Sequence, residues 1–282
     1  MSETGGLDRL AQRATRHLTG PQGRTLVWRR FGAGPPLLLI HGGHGDWRHW
    51  MRNVDALAAR HTVWVSDLPG FGESDELDGS AHAPDRMQRL VDALHAGLVE
   101  LLGASAAPGL VGFSFGALVS AHLAARHPVS RLALLGPGGH GGRRRQTRGL
   151  LDWRAEPAGA QRFAAFRENL GRFMLHDAAA VDDIAVAVYR SQCERTRFRS
   201  RSISLAGGLP ALLDRLKTPI LLAWGEHDVT ADPEPIAALL TAGHPNRASR
   251  VVRGAGHWVQ YERADEVNAT LLDWFAPPAA PC

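Results

Sequence analysis

The chain is punctuated by short, unbroken apolar runs, and these limit its fold more than any other feature. They are Leu37-Leu38-Leu39-Ile40, Val63-Trp64-Val65, Gly109-Leu110-Val111-Gly112-Phe113, Leu132-Ala133-Leu134-Leu135, Ile220-Leu221-Leu222-Ala223-Trp224, and Val251-Val252 at the end of 249–252. Each is too short for a buried helix and lacks the alternation of a strand with one wet face. Runs of this kind suit strands covered on both faces, hence a parallel sheet. Helical stripes lie between them. Residues 84–102 place Met87, Leu90, Val91, Leu94, Leu98 and Leu101 on one side, with Pro84 suited to a helix start and Gly103 to a stop. Residues 114–127 form a second helix that ends before Pro128, and 235–240 and 264–275 give two more. Alternating strands and helices predict an α/β fold with right-handed crossovers and a mostly parallel central sheet flanked by helices. Residues 24–31 add an antiparallel strand at one edge.

The stretch 138–206 breaks this rhythm. It opens with Gly138-Gly139-His140-Gly141-Gly142, holds no convincing strand, and is rich in arginine and aromatic residues. It is predicted as a helical cap inserted between core segments 1–137 and 207–282. A chain of 282 residues is long enough for such a core with one insertion. The tail, 277–282, is of low complexity and expected to fray. No apolar run approaches the ~18–20 residues of a membrane helix, and the first twenty residues show no hydrophobic leader. Cys193 and Cys282 support neither a disulfide framework nor a zinc site, so a reducing cytoplasm is the expected location. The net charge of +4 rests almost wholly on arginine, since Lys217 is the only lysine. The arginines are spread along the chain, apart from Arg143-Arg144-Arg145 and the alternating set Arg195 to Arg201, which read as solvated faces rather than a nucleic-acid footprint. The expected partner is a small molecule, with no nucleic acid and no membrane. Homo-oligomerisation stays open.

Gly112-Phe113-Ser114-Phe115-Gly116 carries the chemistry. A G-x-S-x-G pattern is weak alone, but here it follows a buried strand and opens a helix. In that context the chain turns so sharply that Ser114 is strained and exposed, and larger residues at positions 112 and 116 would collide across the turn. A helix N-terminus at the hydroxyl favours developing negative charge. A serine nucleophile needs a base, and the base needs an acid to orient it. Gly254-Ala255-Gly256-His257-Trp258 follows the last strand and supplies His257. Trp224-Gly225-Glu226-His227-Asp228 follows the preceding strand and supplies Asp228, with Glu226 and Asp232 as competing acids. The chain order Ser, Asp, His matches an α/β-hydrolase triad. Two amides are expected to hold the oxyanion: that of Phe115, next to the nucleophile, and that of Gly43, in His41-Gly42-Gly43-His44-Gly45. His41 is expected to brace this loop. No metal site and no cofactor are implied.

With these residues in place, the chain resembles the α/β-hydrolase superfamily, and within it the meta-cleavage product hydrolases, which split a carbon–carbon bond in vinylogous 1,5-diketone acids. Arg52-Asn53-Val54, Leu135-Gly136-Pro137-Gly138-Gly139 and Gly256-His257-Trp258-Val259-Gln260-Tyr261-Glu262-Arg263-Ala264-Asp265-Glu266 carry the resemblance. The wider Leu68-Pro69-Gly70-Phe71-Gly72-Glu73-Ser74-Asp75 segment is common to many relatives. The resemblance implies that Arg190 in the cap binds a substrate carboxylate, that Phe173 lines the pocket, and that Trp258, beside the catalytic histidine, also contacts the substrate. Phe113 and His49 stand where that branch carries amides against the substrate oxygens, and both are expected to face the substrate.

The expected function is therefore a serine hydrolase acting on an ester, thioester or lactone, or on the carbon–carbon bond of a meta-cleavage product, in a small capped pocket. Dehalogenase and epoxide hydrolase chemistry is disfavoured, because those relatives use an aspartate at the position of Ser114. Haloperoxidase-like or acyltransferase activity would use the same triad, and a non-catalytic small-molecule receptor would share the fold. Turnover of a nitrophenyl ester separates a receptor from an enzyme.

Overall fold

The computed structural model describes residues 4–20 and 24–277; Cys282 and most of the tail expected to fray lie outside them. The chain opens with α1 (Thr4–Arg13) and then forms β1 (Thr15–Thr19), β2 (Leu26–Phe31) and β3 (Pro36–Ile40). A 3-10 turn and α2 (Val54–Ala58) lead to β4 (Thr62–Ser66), α3 (Arg86–Leu102), β5 (Gly109–Phe113), α4 (Phe115–Ala124) and β6 (Leu132–Leu135). Before the next strand come α5 (Ala160–Phe173), α6 (Asp183–Arg195), α7 (Arg201–Leu205) and α8 (Leu209–Leu213). The chain closes with β7 (Ile220–Gly225), α9 (Pro233–Thr241), β8 (Arg247–Val252), α10 (Val259–Glu262) and α11 (Ala264–Trp274).

The eight strands form one sheet in the order β1-β2-β4-β3-β5-β6-β7-β8. β1 and β2, and β2 and β4, pair antiparallel; every other pair is parallel. Alternate strand residues feed two separate apolar clusters. Leu37, Leu39, Val111, Phe113 and Leu135 face one, with residues of α5, α6, α10 and α11. Leu38, Ile40, Leu110, Leu134 and Leu222 face the other, with α3, α4 and α8. Both faces are dry, which is why these strands read as unbroken apolar runs.

Two expectations change. The strand within 24–31 is not the edge: β1 lies outside it, pairing Thr15 with Arg30 through Thr19 with Leu26. β1 is Thr15-Arg16-His17-Leu18-Thr19, largely exposed, so it lacks the apolar signature of the others. The helix expected over 114–127 ends at Ala124, and residues 125–127 turn toward Pro128. The register sets Ile40 beside Gly112, Phe113 beside Leu135, and Gly225 beside Val252. The loops after β3, β5, β6, β7 and β8 therefore open on a common edge, where open α/β sheets place their ligands. None of the described helices is long and apolar enough to cross a membrane.

Candidate active site

Ser114 sits between β5 and α4 with φ 55° and ψ −117°. Apart from His44, it is the only non-glycine residue with positive φ among the described residues. Such a conformation costs roughly 1–3 kcal/mol and persists only where the surroundings enforce it. Here they do. The Ser114 amide donates to Leu135 O at 2.8 Å, and its carbonyl accepts from Gly138 N at 3.0 Å. A methyl group on Gly112 would strike Gly116 O and Ala117 Cα, and one on Gly116 would strike the carbonyls of Ile40 and His41.

Three side chains meet at the hydroxyl. Ser114 Oγ lies 2.9 Å from His257 Nε2, and His257 Nδ1 lies 2.9 Å from Asp228 Oδ2. Asp228 and His257 are both buried. Burial alone would raise the Asp228 carboxyl, but the His257 ring beside it and hydrogen bonds from His257 and Thr230 hold it below the usual carboxylate range. Thr230 donates to Asp228 Oδ1 from both its amide and its hydroxyl, each at 2.7 Å. Oδ2 is left to face the imidazole, which fixes the Nδ1–H tautomer and leaves Nε2 to accept from the serine. The competing acids are engaged elsewhere. Glu226 binds Arg253 and the Gly254 amide, and Asp232 pairs with Arg145.

The Phe115 amide is in the first turn of α4 and has no intrahelical acceptor. Gly42 and Gly43 run close by: a side chain on Gly42 would press on Ser114 Cβ and the Phe113 ring, and one on Gly43 would strike Ser200 Oγ. Ser200 thus reaches from the inserted segment to the backbone beside the serine. His41 braces this loop. Its Nε2 accepts from Leu68 N at 2.9 Å, so its Nδ1–H donates to Gly42 O at 2.8 Å. His49 Nδ1 accepts from the Gly42 amide at 3.2 Å, and burial pushes the His49 pKa down to about 3.

A cavity of about 1390 Å³ opens above Ser114 and His257. Gly43, His49, Phe113, Phe115 and Phe173 all line it, and the Phe173 ring lies 5.6 Å from that of His257. Two expected contacts are absent. Arg190 is exposed on the outer side of α6, where its Nε donates to Glu194 at 3.0 Å. Tyr189, Gln192 and Cys193 of that helix line the cavity instead, and at about 100° per residue position 190 turns away from them. Trp258 is wholly buried and does not line the cavity; its Nε1 donates to His49 O at 3.0 Å and its ring stacks on Tyr261. Sequence reasoning missed Thr230, Ser200 and Glu262. Glu262 accepts from the amides of His176, Asp177 and Gly256, tying the insertion to the His257 loop. Only Thr230 left a local signal, two residues beyond an aspartate, the spacing of an Asx-turn.

A protein family described as alpha/beta hydrolase fold matches residues 35–264. The chain is 30% identical over 261 residues to a 2-hydroxy-6-oxononadienedioate/2-hydroxy-6-oxononatrienedioate hydrolase of Paraburkholderia phymatum, covering 86% of this chain and 88% of the relative. It is 28% identical over 265 residues to a 2-hydroxy-6-oxo-6-phenylhexa-2,4-dienoate hydrolase of Burkholderia cepacia, covering 87% and 89%. Among solved structures, a meta-cleavage product hydrolase from Pseudomonas fluorescens superposes with a TM-score of 0.73 at 23% identity, covering 94% of this chain and 98% of that one.

Proposed function

The chain belongs to the α/β hydrolase fold family, and from that premise we propose that it is a serine hydrolase with Ser114 as nucleophile, His257 as general base and acid, and Asp228 as the group that orients the imidazole. The observation that carries this reading is the continuous chain of hydrogen bonds from Ser114 through His257 to Asp228 at the floor of a cavity. His257 Nε2 takes the Ser114 proton as Oγ attacks a substrate carbonyl. The Phe115 and Gly43 amides hold the oxyanion. Collapse expels the leaving group, which takes its proton from His257. A water molecule, deprotonated by the same nitrogen, then releases the acyl group. Residues 138–206 act as a cap that shapes the cavity, and no cofactor is needed.

The substrate is an ester, thioester or lactone with an apolar acyl portion, because Phe113, Phe173 and Met174 surround the approach to Ser114. Cleavage of a meta-cleavage product is the second reading, favoured by the activities for which the relatives are named. It is weakened by Arg190, which points into solvent, and by Phe113 in the cavity wall. A panel of nitrophenyl esters, lactones and a ring-fission dienoate tests both readings. Nitrophenyl esters should turn over, and Ser114→Ala should lower kcat by on the order of 10⁴–10⁶. A variant retaining activity within about tenfold would refute the assignment of the nucleophile. Faster turnover of the dienoate than of any ester would favour the carbon–carbon reading.

A further inference from the structure

The two arginine runs noted in the sequence, 143–145 and 195–201, converge on the same cavity. Arg144 comes from the first, and Arg199 and Arg201 from the second; Arg154 joins them from between. Asp152 is the only acid in the lining among the described residues. Arg148 and Arg197, also in the lining, are neutralised by Glu168 and Glu76. Arg144, Arg154, Arg199 and Arg201 form no ion pair among the described residues. Burial lowers the Arg144 pKa; the Asp228 carboxylate offsets part of this, and the charge of Arg201 adds to it.

The same rim displays apolar side chains. Leu150, Leu151 and Leu205 are 46%, 38% and 50% exposed, which makes them three of the five exposed large hydrophobic residues among the described residues. The loop that carries the first two is pinned. Asn169 accepts from Leu151 N at 2.7 Å and donates to Leu151 O at 2.9 Å. Arg172 donates to Gly149 O at 2.7 Å. These bonds hold the loop backbone, and the Leu150 and Leu151 side chains stay exposed. Single exposed leucines need no explanation, but three around one cavity among arginines without an ion pair mark an interaction surface.

We propose that the cavity mouth docks on an anionic lipid surface, with Leu150, Leu151 and Leu205 entering the boundary between headgroups and acyl chains and Arg144, Arg154, Arg199 and Arg201 against the headgroup phosphates. Charge complementarity selects this occupant. A soluble monocarboxylate would neutralise one guanidinium and leave the leucines in water. An anionic bilayer covers both, as it does the cationic and apolar faces of interfacial helices. Docking of this kind needs no membrane-spanning helix. The expectation of no membrane partner rests on the lack of a long apolar run, and a peripheral contact does not need one. The proposal goes beyond the hydrolase reading and stands or falls without it.

Co-sedimentation of the full chain with vesicles is the test, comparing an equal mixture of phosphatidylglycerol and phosphatidylcholine with phosphatidylcholine alone. Wild type should pellet with the anionic vesicles, release at high salt, and stay soluble with the neutral ones. Arg154→Gln with Arg199→Gln should weaken binding about 25-fold, about fivefold per arginine. Arg154→Lys with Arg199→Lys should keep most of it. Leu150→Ser with Leu205→Ser should weaken it by about tenfold or more. Unchanged melting temperatures would show that the variants fold. No binding to anionic vesicles, equal binding to neutral ones, or full binding by the leucine variant overturns the proposal. Release by inorganic phosphate at constant ionic strength also overturns it, in favour of a soluble phosphate ligand.

Discussion

Asp228 keeps one carboxylate oxygen for His257 because Thr230 occupies the other with two hydrogen bonds. In the proposed mechanism this division holds the imidazole in its working tautomer. Asp228→Asn should therefore lower kcat by up to about 10⁴ without unfolding the protein. Thr230→Val removes one of the two donors and should cost about tenfold, the worth of one hydrogen bond to a charged group. Glu226→Gln should stay within about threefold of wild type, because Glu226 serves Arg253 and Gly254. Steady-state kinetics on one ester ranks all three, and a Glu226 variant worse than the Asp228 variant would move the acid to position 226. Ser114, Asp228 and His257 were legible because each follows an apolar run, so strand order alone brings them to one edge. Ser200 and the tie from Glu262 to the inserted segment were not, because those partners lie more than eighty residues away and no local pattern marks such pairs. Arg190 was misread because a resemblance aligns a position but not the helix face it occupies.

The contact between the β3 loop and α6 shows how elements hold the site together. Asp46 accepts from the Arg48 side chain, and from Gln192 of α6 at 3.0 Å, while Arg48 reaches Ser191 at 3.0 Å. Burial works against the Asp46 carboxylate, but Arg48 and Gln192 overcome it and hold its pKa at about 2. A carboxylate depressed this far stabilises the fold above its ordinary pKa of 3.8, and that contribution fades as the pH falls through about 2. The difference amounts to about 2 kcal/mol. Asp46→Asn should lower unfolding stability at neutral pH by about 2 kcal/mol and remove this part of the acid dependence. Urea unfolding measures both, and an unchanged midpoint would show that the contact is incidental. Elements with dry faces were readable from composition. β1 was hidden by its threonines and its exposed Leu18, and α1 lacks the apolar run that marks a buried element.

Across the whole molecule, several buried histidines pair with backbone groups as neutral rings. His41 and His49 brace the loop beside Ser114, and His140 accepts from Gly142 N and donates to Thr230 O. Burial lowers all three pKa values from 6.5, that of His49 to about 3. Above pH 6.5 neither the folded nor the unfolded chain protonates them, and their contribution is complete. As the pH falls below 6.5 the unfolded chain binds protons that the folded one refuses, so stability declines toward the folded values. Unfolding free energies should drop between pH 7.5 and pH 5, a window above most carboxylate titrations, and His49→Gln should flatten that slope. Stability that rises on acidification there would contradict the buried neutral state. At this scale the α/β architecture was plain in the sequence, because its rhythm repeats along the whole core. The cavity was not, because its wall is built by side chains of the 138–206 segment whose packing no periodicity encodes. The central claim is that Ser114 is the nucleophile, and covalent trapping tests it most directly. The protein is treated with an aryl phosphonate ester and the modified peptide is mapped by mass spectrometry. The account predicts a single adduct on Ser114, formed in step with loss of esterase activity and blocked in His257→Ala. An adduct on another residue, or activity that survives complete modification of Ser114, would contradict it.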